Sequence, residues 1–291
     1  MKKRILSIGE IIWDVFPDKS VIGGAPLNFA AHCALCGAES ALLSAVGNDQ
    51  LGKDALAALK KFGVSDQYVK YASEPTGQCI GTLDQNAMPS YNVLQNVAYD
   101  NITVSDVDIE SINKDGYDAL YFGTLIQRDP VSRATVKTVV EKCSFEHIIC
   151  DVNLRPDCFD VESVGLCLSS ATVLKVSDEE EPTLRALNGY LPKSDSPEDI
   201  AKALCGKYKN LKTVIITRGK NGSFAYDAVT ERMYEQSAVG GNVISTVGAG
   251  DSFAAAWVVN YLQGKPIEFC MEKAAERSGF VVSRVEAVPL D

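Results

Sequence analysis

Apolar runs of strand length alternate with segments of helical period along almost the whole chain. The strand candidates are Arg4–Ile8, Ser40–Val46, Ala119–Phe122, His147–Asp151, Val173–Val176, Thr213–Thr217 and Ser223–Tyr226. Most are continuously apolar, as expected of strands covered by helices on both faces. The helix candidates between them are Leu27–Leu35, Gly52–Phe62, Pro130–Lys142, Glu179–Leu187, Pro197–Tyr208, Asp251–Gln263 and Ile267–Val282. Pro197 suits a first helical position, and Gly264-Lys265-Pro266 separates the last two helices. Alternation on this scale predicts an α/β fold: a doubly wound, mainly parallel sheet with right-handed crossovers and helices on both faces.

One stretch breaks the rhythm. Asp66–Asp100 holds no convincing helix, only the β-like pieces Tyr68–Tyr71, Gln78–Leu83 and Tyr91–Val97. Ile11–Ile22 is also β-like and is broken by Pro17-Asp18-Lys19. Together they predict a small β-sheet, from about residues 11–22 and 66–100, standing off the main sheet as a lid; a surface hairpin is the plainer alternative. No repeat or Pro/Gly/Ser linker divides the chain, so residues 1–291 read as one domain carrying this insertion.

Composition narrows the partners. A chain of 291 residues buries on the order of 75% of its unfolded surface, enough to fold without disulfides or a structural metal. Its net charge of −10 argues against nucleic acid or an anionic membrane as partner. No window approaches the 18 apolar residues of a membrane span, and MKKRILSIGE reads as a first strand, not a secretion signal. Nine cysteines, an odd and unpatterned set, suggest reduced thiols and a cytoplasmic location. Cys33 and Cys36 fall in an apolar helix and read as packing residues; His32 and His147 have no catalytic setting.

The strongest chemistry lies at Ser245-Thr246-Val247-Gly248-Ala249-Gly250-Asp251-Ser252-Phe253, which opens a helix. Small residues there let backbone N–H groups converge on an anion, helped by the positive end of the helix dipole. Asp251 can be a simple N-cap, or a base taking the proton of a hydroxyl that attacks a phosphorus held by those N–H groups. The segment is neither a Walker A loop nor a dinucleotide fingerprint.

T-V-G-A-G-D-S-F resembles the C-terminal motif of the ribokinase (PfkB-type) sugar kinase family. Gly23-Gly24-Ala25-Pro26-Leu27-Asn28, DVNLRP (Asp151–Pro156) and ITRGKNGS (Ile216–Ser223) match further family motifs in family order, so the resemblance spans nearly the whole chain. It implies that Asp251 is the catalytic base and that the N–H groups of Gly248, Ala249 and Gly250 stabilise the transferring phosphoryl group. Substrate contacts are implied for Asp14, Gly23, Gly24, Asn28, Asn153 and Arg155. Gly23 and Gly24 let the backbone approach a polyol, and Arg155 supplies a local cation to an acidic protein. For the nucleotide, the resemblance implies Ser177, Thr217, Gly219 and Gly222, with Ala275 and Gly279 near the adenine. The implied cofactors are ATP and Mg²⁺.

Two positions depart from the family pattern. Ser177 replaces the asparagine of an N-x-x-E motif whose glutamate, here Glu180, organises magnesium through water. Ser245 replaces an aspartate that helps hold a monovalent cation, which weakens the expectation of potassium activation. The G-E start, Asp14, GGAPLN, DVNLRP and A-Y-D-N-I (Ala98–Ile102) look fructokinase-like. The expected activity is therefore ATP-dependent phosphorylation of a small sugar, D-fructose first. Other expectations are a 2-keto-3-deoxygluconate kinase, a ribokinase, a nucleoside kinase using Trp13, Phe16 or Tyr91 around a base, or an inactive fold acting as a sugar-binding regulator. A homodimer paired through the lid is expected by family analogy.

Overall fold

The computed structural model describes residues 2–15, 19–83, 89–187, 189 and 196–290. β1 (Arg4–Ile8) leads into β2 (Ile12–Val15) and β3 (Ser20–Gly23), then α1 (Ala25–Leu35). β4 (Glu39–Gly47), α2 (Gln50–Phe62) and β5 (Val64–Ala72) are followed by β6 (Gly77–Leu83) and β7 (Pro89–Val93). Alternation resumes with α3 (Asp106–Asp115), β8 (Ala119–Gly123), α4 (Pro130–Lys142), β9 (His147–Asp151), α5 (Val161–Ser170) and β10 (Val173–Ser177). After α6 (Glu181–Leu187), α7 (Pro197–Lys207) and β11 (Thr213–Thr217), a meander of β12 (Ser223–Asp227) and β13 (Arg232–Gln236) precedes α8 (Ala249–Leu262) and α9 (Ile267–Val282).

Among the described residues nine strands form the main sheet, in the order β13-β12-β11-β10-β9-β8-β1-β4-β5. It is parallel from β11 to β5, and β12 and β13 are antiparallel. Its parallel strands carry buried runs such as Ala119–Phe122, as the apolar pattern required. One apolar core, with Val136, Val164 and Ile200, lies under α4, α5 and α7. On the other face Phe29 of α1 and Trp257 of α8 anchor a second core, and Phe29 stacks on Tyr121 at 3.8 Å. Helix ends follow local chemistry: Asp49 accepts from the N–H of Gly52 at 2.8 Å to start α2, and Gly63 ends it at φ 74°.

Among the described residues four strands form a second, separate sheet, in the order β3-β2-β6-β7. The stretch expected to build it begins too early, because Val64–Ala72 pairs in parallel with β4 as an edge of the main sheet. Its mixed polar pattern suits an edge strand, and Ala98–Asn101 forms a short 3₁₀ turn. Phe16 and Pro17 lie outside the described residues, as does the side chain of Tyr91. Three elements escape the apolar periodicity. In α3 only Ile109 and Ile112 are buried, and the helix is set by a Ser105–Asp108 capping box. α5 is rich in Ser, Gly and Cys, and β13 is half-exposed at an edge.

Following β1, the chain runs outward to β4 and β5, then returns to β8 and proceeds the other way, so the strand order reverses beside β1. Open α/β sheets bind ligands at such a switch point, outside the carboxyl ends of the strands. β2 starts four residues after β1 ends, which roots the small sheet at that same end.

Candidate active site

The N-terminus of α8 is built by a left-handed residue, Gly248 at φ 78°. A Cβ there would stand 2.5 Å from the carbonyl oxygen of Ala287, so only glycine fits. Ala249 donates its N–H to Thr246 at 3.2 Å, and helical bonding resumes with Ser252 donating to Gly248. The N–H groups of Gly250 and Asp251 have no acceptor among the described residues. Of the loop the resemblance nominates, Gly250 thus offers its N–H freely, while that of Ala249 is already engaged; the N–H of Asp251 itself is a donor the motif reading omitted.

Asp251 is half-buried in that first turn, and its Oδ2 accepts a 2.8 Å hydrogen bond from Asn28 Nδ2. Burial pushes its carboxyl up to about 6; the Asn28 bond opposes this, the charge of Asp151 adds to it, and Lys175 and Arg155 pull it back. Such a group is ionised at neutral pH yet basic enough to take a proton. Asn28 sits one turn into α1, where its N–H donates to Gly24 at 2.9 Å. Its Oδ1 is buried without a partner among the described residues.

Gly24 adopts φ 109°, and a Cβ on it would meet the carbonyl of Glu10 at 2.4 Å. The backbone of β1's exit therefore explains Gly24. At Gly23 an added Cβ would lie 3.7 Å from Asp14 Oδ2, ordinary contact beside the carboxylate. Asp14 is on β2 of the small sheet, opposite Cys79. Burial raises its carboxyl, while a hydrogen bond from the Cys79 thiol and the charge of Arg155 hold it down.

A cavity of about 660 Å³ opens at the ends of β9, β10 and β11, and Asn153, Arg155, Ser177, Glu180, Thr217 and Gly250 are among the residues lining it. Asn153 takes a left-handed φ of 42°, and Arg155 is exposed. Glu180 braces this wall: its two oxygens accept the N–H groups of Leu154 and Ser177, each at 2.7 Å. Each oxygen keeps a lone pair for a water. Ser177 pairs with Thr217 across β10 and β11.

The remaining nominated residues do not line this cavity. Gly222 closes the turn between β11 and β12, where a Cβ would strike the carbonyl of Gln236 on β13 at 2.2 Å, while the Cβ direction of Gly219 is open. Ala275 is buried in α9, and Gly279 lets the carbonyl of Val239 approach to 2.1 Å of where a Cβ would stand. Trp13 donates its indole N–H to the carbonyl of Leu51 at 3.1 Å, tying the small sheet to α2. Cys33 is buried and Cys36 half-buried, and neither is in a disulfide. His32 donates from Nε2 to Ala287 at 2.9 Å and accepts at Nδ1 from Arg277; His147 packs edge-on to Tyr261.

Two site residues were missed. Glu10 is 3% exposed and accepts the N–H of Ala25 at the start of α1, a helix with no side-chain cap of its own. Burial raises its carboxyl to about 7. Lys175 forms a buried ion pair with Asp151 beside Gly250. The signal for both was a charged residue interrupting an apolar run, in S-I-G-E-I-I and V-L-K-V.

A carboxylate of raised pKa beside unpaired N–H groups at a helix start, with Gly250 of the same turn lining a cavity at strand ends, is a phosphotransferase arrangement. Comparison makes the class specific: residues 6–290 match the pfkB family carbohydrate kinases, and the chain belongs to that family. An uncharacterized sugar kinase of Pyrococcus horikoshii, PH1459, is 30% identical over 254 residues, 84% of this chain and 75% of that protein. Its crystal structure superposes with a TM-score of 0.80 over 98% of this chain and 94% of that one. An ATP-dependent 6-phosphofructokinase of Thermoanaerobacterium thermosaccharolyticum is 24% identical over 99% of this chain and 90% of its own. A Vibrio cholerae fructokinase, solved with fructose, ADP and calcium, shares the fold at a TM-score of 0.80 and 20% identity, covering 98% of this chain and 94% of that one. Among the described residues no helix is long and apolar enough to cross a membrane.

Proposed function

We propose that this sugar kinase transfers the γ-phosphoryl group of ATP to a hydroxyl of a small sugar, with D-fructose the first acceptor. The observation that carries the reading is the Asn28–Asp251 bond of 2.8 Å beside the unpaired N–H groups of Gly250 and Asp251. In this reading Asp251 takes the hydroxyl proton as the sugar oxygen attacks phosphorus in line. The N–H groups at the start of α8 receive the charge of the phosphoryl oxygens. Asp14, Gly23, Asn28, Asn153 and Arg155 hold the sugar, Ser177, Thr217 and Gly219 flank the nucleotide, and Ala275 and Gly279 lie toward its adenine.

Magnesium fits the residues present. It binds through few protein oxygens plus waters and phosphates, and Glu180 faces the cavity with a lone pair on each oxygen. Bound there on the nucleotide, the ion would neutralise phosphate charge. The small sheet acts as a lid that carries Asp14 to the sugar and excludes competing water. Its free edge also suits pairing with a second copy, so light scattering should give a dimer mass. The reduced thiols suit the cytoplasm.

Fructose rests on the fructokinase-like motifs. A second reading, a sugar acid such as 2-keto-3-deoxygluconate, is favoured by the exposed cation of Arg155 close enough to affect Asp14. ADP release measured across fructose, 2-keto-3-deoxygluconate, ribose, fructose 6-phosphate and adenosine ranks the acceptors. Fructose should give the highest kcat/KM; a sugar acid in first place replaces it, and ligand-dependent thermal shifts without turnover on any acceptor refute the kinase reading.

A further inference from the structure

Lys175 has no part in the roles assigned above, although it is 6% exposed at the floor of the cavity. Its Nζ lies 3.0 and 2.8 Å from the two carboxylate oxygens of Asp151. A Cβ on Gly250 would stand 3.3 Å from the same nitrogen. Two of the three N–H bonds of the ammonium thus go to Asp151, and the third has no acceptor among the described residues.

Stability does not account for this pair. Desolvating two ions costs several kcal/mol each, and well-packed apolar residues of similar volume commonly serve a fold as well or better. An apolar pair could not, however, place positive charge beside Gly250 in the first turn of α8, where the N–H groups of Gly250 and Asp251 have no acceptor among the described residues. Glycine at 250 keeps that path clear, since any side chain would stand between the ammonium and the turn.

We propose that Lys175 is a further catalytic residue, whose ammonium contacts the transferring phosphoryl group at the Gly250 turn, with Asp151 as its positioning partner. The proposal rests on the kinase reading above. In the step, the sugar O–H bond breaks and its proton passes to Asp251. The sugar oxygen forms the new bond to the γ-phosphorus. The bond from that phosphorus to the β,γ-bridging oxygen breaks, and its electron pair leaves on ADP. Lys175 keeps its proton throughout; Asp151, Glu180 and Asp251 face it and hold it charged.

The test compares binding of AMP-PNP and ADP, both with magnesium, by calorimetry in wild type, Lys175→Met, Asp151→Asn and the double variant. Lys175→Met should weaken AMP-PNP about tenfold or more, as expected for loss of a charge-assisted hydrogen bond, and ADP much less. The double variant, neutral in sum, should show the same selective loss, and it carries the test if Lys175→Met does not fold. An unchanged AMP-PNP to ADP ratio in Lys175→Met, or a wild-type ratio restored in the double variant, makes Lys175 a structural partner of Asp151 and overturns the proposal. Wild type binding neither nucleotide would instead refute the kinase reading itself.

Discussion

Replacing Asp251 with asparagine should remove activity and add stability, and the second effect has its own pH window. The asparagine side chain keeps the shape and can still accept the Asn28 hydrogen bond, so the change is one of charge. The carboxyl is pushed from 3.8 to about 6 in the folded protein, chiefly by burial. At ~1.4 kcal/mol per pH unit, the ionised group costs the folded state up to about 3 kcal/mol. Water in the open cavity screens part of this, leaving about 1–2 kcal/mol. The sign follows from the folded pKa lying above the unfolded one. The penalty is absent below pH ~4, grows between ~4 and ~6, and is full above that range. Urea unfolding of both proteins at pH 4 and pH 8 should therefore show the variant more stable at pH 8 and equal at pH 4. Initial rates should fall by about 10²–10⁴, the usual contribution of a positioned general base. A variant that is no more stable at pH 8 refutes the burial argument; one that keeps most of kcat refutes the base.

Three further outcomes follow from neighbouring contacts. Asn28→Leu removes a hydrogen bond that favours the ionised carboxylate, so the acid limb of kcat/KM should move upward by about one pH unit; a limb that stays or moves down contradicts the contact. Gly248→Ala places a methyl 2.5 Å from the Ala287 carbonyl at φ 78°, and should destabilise the fold by about 1–3 kcal/mol in urea titration, with nucleotide binding lost as well. Potassium should change the rate little against a choline control, because Ser245 offers no carboxylate and its hydroxyl accepts the Val247 N–H at 3.2 Å; a large activation would show that carbonyl oxygens alone suffice.

The sequence was most informative where structure is local. The turn at Gly248-Ala249-Gly250 and its acid at 251 can be read from a few adjacent residues, because small side chains at a helix start have few other uses. The buried parallel strands were legible because continuous apolar runs have one simple explanation. β5 was misassigned for the converse reason: V-S-D-Q-Y-V-K-Y-A suits any half-covered strand, and only pairing with β4 decides its sheet. Glycines carry a constraint the motifs do not display: at Gly222 and Gly279 the carbonyls of Gln236 and Val239 already occupy the space a side chain would need, so packing requires glycine there whatever else those positions touch. Lys175 and Glu10 escaped because a lone charge in an apolar run names no partner, and their partners, Asp151 and the N-terminus of α1, come from other segments.

The carbonyl of Ala287 is a back wall for Gly248 and the acceptor for the buried His32, and this places the site on a clock. During synthesis, at about 5–20 residues per second, α1 is made well before its counterparts and waits for them. The Asn28–Asp251 bond joins residues 223 positions apart, and the turn that carries Asp251 is not seated until residue 287 has cleared the ribosome. A nascent chain therefore carries the GGAPLN helix without its partner until more than two hundred further residues have been made. The site is therefore assembled only once residue 287 is in place against Gly248 and His32.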